Sequence, residues 1–262
     1  IIALNYVLVL EFLMSKDRIK DIGRYIIEKG EVTTDELAKQ FNVSLVTVRR
    51  DLKKLEDDNL ITKIYGGAKA KSDKLQTFQQ REMINSDAKN HIASIASKLI
   101  KEGDRIFIDS GTTTKLLLEN VNPNIRLTIF TNSLASIVQA SKMPNVKLFV
   151  VGNSYNNISD SFTYWGKGPD FYAFNIDKAF MSTSGLTIKD GLTNKNPVEL
   201  EIKNMVCKLA DKIILLVDQS KIDKSSLMTY ADLKDIDILV TDKDVSRKYK
   251  DFFLNHNIKF YY

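Results

Sequence analysis

The sequence has a single cysteine, Cys207, among 262 residues. No internal disulfide can form, and a reducing compartment, the cytoplasm, is the expected setting. Histidine is nearly as scarce: His91 and His256 stand alone, with no cysteine or second histidine at ligand spacing, so no metal site is expected. Neither G-x-G-x-x-G nor G-x-x-x-x-G-K-[ST] occurs, so neither a dinucleotide nor a nucleoside triphosphate is indicated, and no cofactor is expected. Long apolar runs are missing too. The run IIALNYVLVLEFLM at residues 1 to 14 falls short of the roughly 20 residues that a membrane span needs. It also lacks the basic start and small-residue cleavage site of a secretory signal. The expectation is a protein with no membrane partner whose native start is Met14, residues 1 to 13 being read-through. A short anchoring helix is the alternative.

What is present is ordinary in bulk and specific in detail. An apolar fraction of 44% suits a globular chain that buries a real core, and the length suits one large or two smaller domains. A formal net charge of +5 tilts the chain toward anionic partners.

The stretch SLVTVRRDLKKLE, residues 44 to 56, concentrates that charge. On a 3.6-residue helix Leu45, Val48, Leu52 and Leu55 share a narrow apolar arc. Arg50 lies almost opposite, flanked by Val46, Thr47, Lys53 and Lys54. Four basic residues of this stretch face only two acids, Asp51 and Glu56. Before it, Ile19, Ile22, Ile26 and Ile27 recur at helical spacing up to Gly30, and TTDELAKQF reads as a capped short helix. Ser44 is placed to cap the basic helix. After it, NLITKIYGGAKA alternates around a Gly-Gly pair, the pattern of a two-stranded ribbon with a tight turn. Two short helices, a three-residue turn, an exposed basic helix and a hairpin make a winged helix-turn-helix over residues 14 to 68. Its basic face is expected to meet phosphates and base edges of double-stranded operator DNA in the major groove. Arg50 is expected at base edges, with Val46 against a thymine methyl. Arg49, Thr47, Lys53 and Lys63 are expected at phosphates.

Residues 69 to 82 are polar without an apolar face and read as a linker, with room for a short helix. From residue 83 to 262 the pattern changes. DAKNHIASIASKLI is an amphipathic helix, and RIFIDS, RLTIFT, VKLFVVG, AFMSTSG, KIILLVD and DILVTD are strand candidates. Helical stretches at 112 to 119, 134 to 142, 197 to 210 and 244 to 255 fall between them. The alternation predicts an α/β domain with a mostly parallel sheet.

In such sheets ligands bind beyond the carboxyl ends of the strands. Three strand ends here are rich in polar groups: Asp109, Ser110, Gly111, Thr112, Thr113 and Thr114; then Thr131, Asn132 and Ser133; then Asp218, Ser220 and Lys221. Hydroxyls and free helix-start N–H groups attract an anion. A single such turn is commonly a plain helix cap, but three on one sheet, one with a lysine, point to an anion pocket. Cys207, on an apolar helix face, is expected in the core rather than as a nucleophile. Trp165 could stack on a sugar ring, with burial under a loop the favoured reading.

The stretch GEVTTDELAKQFNVSLVTVRRDLKKLEDDNLITKIYGGA resembles the DNA-binding domain of the DeoR family of bacterial transcription regulators. DSGTTT, TNS, DKAFMSTSGL, GLT and VDQSK follow in the order of that family's effector domain. The resemblance spans about residues 16 to 242. It implies a repressor of sugar catabolism whose second domain is similar in fold to ribose-5-phosphate isomerase and senses a phosphorylated sugar. It further implies that Ser44, Thr47, Arg49, Arg50 and Asp51 match the recognition-helix signature. Asp109, Gly111, Thr112, Thr113, Asn132, Lys203 and Lys221 match effector-pocket positions. The chain departs from the pattern at Tyr65, where the wing more often has histidine, leaving a phosphate contact through the phenol. Gly152-Asn153 replaces a glycine pair, and MSTSGL replaces a smaller Gly/Ala-rich version, both near the implied pocket. One winged helix contacts too little DNA surface for tight binding, so the α/β domain is also expected to hold a homo-oligomer together. An isomerase-type enzyme with a DNA-binding arm, using Asp109 or Asp218 as base and Lys221 as anion clamp, is the alternative; the non-enzyme reading is preferred.

Overall fold

The computed structural model describes residues 18–58, 60–70, 77–164 and 174–262. The chain forms two compact units, the first ending at Ile84 and the second beginning at Asn85.

In the first unit, helix α1 covers residues 18 to 29. It is followed by β1 (Glu31–Thr33), α2 (Thr34–Gln40), α3 (Leu45–Asp57), β2 (Ile61–Ile64), β3 (Gly67–Ala70) and α4 (Phe78–Met83). The apolar arc read from the sequence is the core: Val48, Leu52 and Leu55 of α3 pack with Ile22, Ile26, Leu37, Leu60 and Ile61. Leu45, counted in that arc, is exposed instead, because it sits in the first turn of α3. Helices α2 and α3 both start on hydroxyl caps. Thr33 accepts from the Glu36 N–H at 3.1 Å, and Ser44 accepts from the Thr47 N–H at 3.2 Å.

The wing has three strands rather than two, in the order β1-β3-β2. Glu31–Thr33 is too short to show a period in sequence, yet it pairs with Gly67–Lys69 along its whole length. The two glycines at the tip meet different demands. Gly66 adopts φ +74°, where L side chains are strained, and nothing lies within 4 Å of where its Cβ would be. Gly67 has ordinary dihedrals, but a Cβ there would stand 2.2 Å from the Val32 carbonyl oxygen.

Of the polar stretch 69 to 82, Lys69 and Ala70 belong to β3, and 71 to 76 lie outside the described residues. Residues 78 to 83 form α4, whose capping box joins Thr77 and Gln80. Gln80 is buried and donates to the Leu60 carbonyl at 3.1 Å, so this helix is folded onto the first unit.

The second unit opens with α5 (Ser86–Ser97), β4 (Arg105–Ile108), a 3-10 helix (Thr114–Asn120), β5 (Leu127–Thr131), α6 (Leu134–Ala140) and β6 (Val146–Val150). A hairpin, β7 (Ser154–Asn156) with β8 (Ser161–Thr163), precedes β9 (Lys178–Ser182). Then come β10 (Gly185–Thr187), β11 (Gly191–Asn194), α7 (Leu200–Leu209), β12 (Ile213–Leu216), β13 (Met228–Ala231), β14 (Ile238–Val240), α8 (Arg247–Asn255) and β15 (Lys259–Tyr261). Seven strands form one sheet in the order β15-β14-β12-β9-β4-β5-β6, with every pairing parallel. All six strand candidates lie in it; the seventh, β15, is only three residues long.

Alternate residues of these strands feed two cores. Phe107, Phe130, Met181 and Leu215 pack with α7 and α8 on one face. Ile106, Ile108, Ile129, Phe180 and Ile214 pack with α5, α6 and the 3-10 helix on the other. Burial on both faces is why these strands read as near-continuous apolar runs. The antiparallel sheet β10-β11-β13 was not foreseen, because its strands are short and rich in Gly and Thr.

The wing geometry sets a test. Gly67→Ala forces the β1 backbone away and should destabilise the first unit by about 2 kcal/mol or more, as overpacking does. Gly66→Ala adds only left-handed strain, about 1 kcal/mol. Urea unfolding of the two variants, followed by circular dichroism, should rank Gly67→Ala as the more damaging. Equal losses would show that β1 does not constrain the wing.

Candidate nucleic-acid interface and sheet-edge site

The outward side of α3 carries Arg49, Arg50, Lys53 and Lys54, all exposed, with Val46 at 74% exposure. Two of the acids of the same helix are engaged by basic partners, and a third, Asp57, is exposed at its end. Asp51 is fully buried and accepts from Arg18 Nε at 2.8 Å, tying α1 to α3, while Arg50 Nε stands 3.8 Å from its other oxygen. Glu56 accepts from the Lys63 N–H at 3.1 Å and pairs with its Nζ at 3.3 Å. That backbone hydrogen bond, with the lysine beside it, holds the Glu56 carboxyl below its usual range. The solvent face is therefore more basic than the residue count of the helix suggests. Lys63 is half committed to locking the wing onto the end of α3. Ser44 serves as cap, its hydroxyl also 3.0 Å from that of Thr47. Tyr65 stands fully exposed at the wing tip. The Arg18–Asp51 tie was not legible, since nothing in the sequence links positions 33 residues apart.

In the second unit the sheet order places a topological switch at β4 and β9. From β4 the chain runs outward through β5 and β6, then returns to β9 and continues outward through β12, β14 and β15. Crevices of this kind, beyond the carboxyl ends, are where open α/β sheets hold ligands. Asp109 directly follows β4 and is almost wholly buried. Its Oδ2 accepts from the Ser182 N–H at 2.9 Å, from the Ser182 hydroxyl at 2.6 Å, and from Lys203 Nζ. Lys203, equally buried, also donates to the Ser182 carbonyl at 2.9 Å and lies 5.1 Å from the centre of the Tyr230 ring. The Tyr230 hydroxyl donates to that same carbonyl at 2.9 Å. Gly111 is needed for close approach: a Cβ there would meet Ser182 Oγ at 2.4 Å.

The other predicted residues fall around this centre. Thr112, Thr113 and Ser110 are buried in the turn. Thr114 is part of the turn's own frame, donating to the Asp109 carbonyl at 2.5 Å and accepting from the Gly111 N–H at 2.9 Å. Asn132, beyond β5, donates to the Phe162 carbonyl at 3.2 Å and reaches Ser110 Oγ at 3.5 Å. Gly152 has φ +103°, and a Cβ on it would stand 2.8 Å from the Phe162 carbonyl carbon, so close approach of the β7–β8 hairpin explains this glycine. Asp218 and Lys221 follow β12, on the far side of β9. Asp218 accepts from the Ser220 N–H at 2.9 Å and from Asn85 Nδ2 at 3.0 Å. Lys221 ends the short turn Gln219–Lys221. Trp165 lies outside the described residues.

Sequence reasoning missed Ser182, Tyr230 and the buried pair in which Asn194 Nδ2 donates to Glu199 at 2.6 Å. A signal for Ser182 was available: AFMSTSG is a fourth apolar strand that ends in hydroxyls. Among the described residues no group of three His, Cys, Asp or Glu could hold a metal, and no helix is long and apolar enough to cross a membrane.

Cys207 lies one turn beyond Lys203 on α7, and burial pushes its thiol up to about 12 from 9.0. The thiolate is the reactive form. Iodoacetamide should therefore leave Cys207 unmodified between about pH 7 and 9 in the folded protein and alkylate it readily in urea. The same raised pKa implies a stability contribution that is complete below the unfolded-state pKa and falls away as pH rises toward 12. Rapid alkylation of the native chain at pH 8 would place the thiol at the surface.

Two family profiles match this chain: the DeoR-like helix-turn-helix domain over residues 18–74 and the DeoR C terminal sensor domain over residues 84–243. The HTH-type transcriptional regulator IolR of Bacillus subtilis is 40% identical over 242 residues, covering 92% of this chain and 96% of that protein. A lactose phosphotransferase system repressor of Staphylococcus epidermidis is 32% identical over 246 residues, covering 89% and 95%. Among solved structures, ribose 5-phosphate isomerase A of Methanocaldococcus jannaschii aligns with 53% of this chain and 55% of its own, at 20% identity and a TM-score of 0.39. The chain belongs to the DeoR family of helix-turn-helix transcription regulators, its DNA-binding domain first and its sensor domain second.

Proposed function

We propose that this protein is a cytoplasmic repressor of sugar catabolism genes that binds operator DNA as a homo-oligomer and is released by a phosphorylated sugar. Relatives named as a lactose phosphotransferase system repressor and as HTH-type regulators support the regulatory half. The observation that carries the effector half is the coincidence of the topological switch with the Asp109–Thr114 turn.

On DNA, Arg50 and Val46 read base edges, because both stand exposed on the side of α3 opposite its core contacts. Arg49, Lys53, Thr47 and the wing residues Lys63 and Tyr65 contact the backbone, and Ser44 caps the helix that presents them. Arg50→Ala should cost roughly 1–3 kcal/mol of discrimination at one base position, whereas Lys53→Ala should weaken all sequences alike. Affinity for duplexes selected from a randomised pool, measured across a salt series, separates these effects. An Arg50→Ala protein that selects the same sequences as wild type rules out the assignment.

In the sensor domain, Thr112 and Thr113 with the N–H group of Ser110 supply donors to the phosphate, Gly111 lets the turn approach Ser182, and Lys221 adds charge. Lys203 contributes through Asp109 and Ser182, which it already holds. Thr114 and Gly152 shape the turns, and Asn132 and Asp218 take sugar hydroxyls. By linkage, a ligand that releases DNA must bind the DNA-free form more tightly, and DNA must weaken ligand binding equally. A coupling of about 1–3 kcal/mol changes operator affinity by roughly 5–150-fold. Lys221→Ala should keep wild-type DNA affinity while losing release by sugar phosphate. If that variant lets go at the wild-type ligand concentration, Lys221 has no part in sensing.

A further inference from the structure

The covalent connection between the two units is very short. Helix α4 ends at Met83, which packs against the core of the first unit. Helix α5 starts at Ser86 and sends Ile92 and Ala96 into the core of the second. Only Ile84 and Asn85 lie between the two helices. Hinges are made of such element-terminal residues, which absorb the change in φ and ψ.

Asn85 departs from the ordinary in two ways. Its backbone is left-handed, at φ 53° and ψ 38°, a region that asparagine tolerates better than most residues. It also stands at the start of α5 without capping it, although capping is what asparagine commonly does there. Its Nδ2 instead donates to Asp218 Oδ1 at 3.0 Å, across 133 residues of sequence.

Asp218 has little room for another partner. It is 3% exposed, and the same oxygen accepts from the Ser220 N–H at 2.9 Å. That second bond is internal to the turn after β12, whereas the Asn85 amide comes from a side chain that can rotate. A hydroxyl that reaches the Asp218 carboxylate therefore displaces Asn85 before it displaces Ser220. We infer that the Asn85–Asp218 hydrogen bond is a clamp on the junction, which holds the hinge in its DNA-binding form until a sugar hydroxyl at Asp218 breaks it. The direction rests on the reading of the second unit as a sensor whose ligand releases DNA. A ligand that must open the clamp favours the open form, and by linkage the open form binds DNA less tightly. Asn85 is then a positioning residue, acting through Asp218 and the hinge.

The test uses the full-length protein and a duplex that wild type selects from a randomised pool. Asn85→Gly suits the left-handed backbone and removes the amide. With no sugar phosphate present it should weaken DNA binding about tenfold, as loss of one charge-assisted hydrogen bond from one of two forms does. Asp218→Ala should do the same, and the double variant should be no weaker than either single one, since all three lack the same bond. Wild-type affinity in Asn85→Gly overturns the clamp. So does a glycine effect of equal size with and without Asp218, which would mean added flexibility alone. Should Asp218→Ala fail to fold, Asn85→Asp decides. It tolerates the left-handed backbone, donates nothing and sets like charge against Asp218, so it should bind DNA at least as weakly as Asn85→Gly; wild-type affinity there overturns the clamp too.

A second arm titrates D-ribose 5-phosphate, D-glucose 6-phosphate and D-fructose 6-phosphate onto the DNA complexes of wild type and Asn85→Gly. A sugar phosphate that releases wild type should release the variant by a smaller factor, because the contact it breaks is already gone. Equal factors overturn the link between clamp and ligand and leave the sensor reading standing. If the variants bind DNA weakly but none of the three sugar phosphates releases wild type, the clamp stands and the sensor reading falls with its trigger.

Discussion

The second unit depends on one ion pair. Lys203 and Asp109 are both almost wholly buried, and each would be an expensive isolated charge. Together they tie the helix α7 to the end of β4, and through Ser182 to the end of β9, the two strands between which the sheet reverses its order. A buried pair of this kind contributes little net stability by its existence. Breaking it is another matter, since the abandoned charge costs about 3–5 kcal/mol. The pair is best understood as a fixture of geometry. It holds one Asp109 oxygen, and it places Gly111 against Ser182 where no larger residue fits.

The first unit uses buried charge in the same way, for an opposite purpose. Asp51 would dilute a basic surface if it faced solvent; buried against Arg18, it fastens α1 to α3 instead. Glu56, though partly exposed, is paired through the wing, where the Lys63 N–H and ammonium meet it. The outward side of α3 carries Arg49, Arg50, Lys53 and Lys54, so a helix of mixed composition presents a mainly basic face, with Asp57 exposed only at its end. A surface of that kind attracts an anionic polymer before any base is read.

How far the sequence could be read follows from the range of the interactions involved. The arc of Val48, Leu52 and Leu55, the caps at Thr33 and Ser44, and the runs RIFIDS and KIILLVD are local patterns, and the structure contains each where the pattern put it. The third wing strand, β15 and the β10-β11-β13 sheet are stretches of three or four residues whose pairing is set by distant partners. Such elements leave no periodicity. Sheet order is equally invisible, and so the switch at β4 and β9 could not be located, although the polar strand ends beside it were named. Lys203 entered through family resemblance alone; its helix gives no hint that the lysine faces inward 94 residues from its partner.

The glycines show the same limit in reverse. Gly66 and Gly67 read as one turn signal, yet only Gly66 needs a left-handed backbone, and Gly67 makes room for the Val32 carbonyl. Gly111 and Gly152 read as ligand-binding positions, and each has a packing reason that involves no ligand: Ser182 crowds the first and Phe162 the second. A glycine beside a strand end therefore says that two chains approach closely there. What the approach serves must be argued from the polar atoms left without partners. At this sheet edge those atoms belong to Asp109 and Asn132, which follow the paired strand ends Ile108 and Thr131 beside the switch.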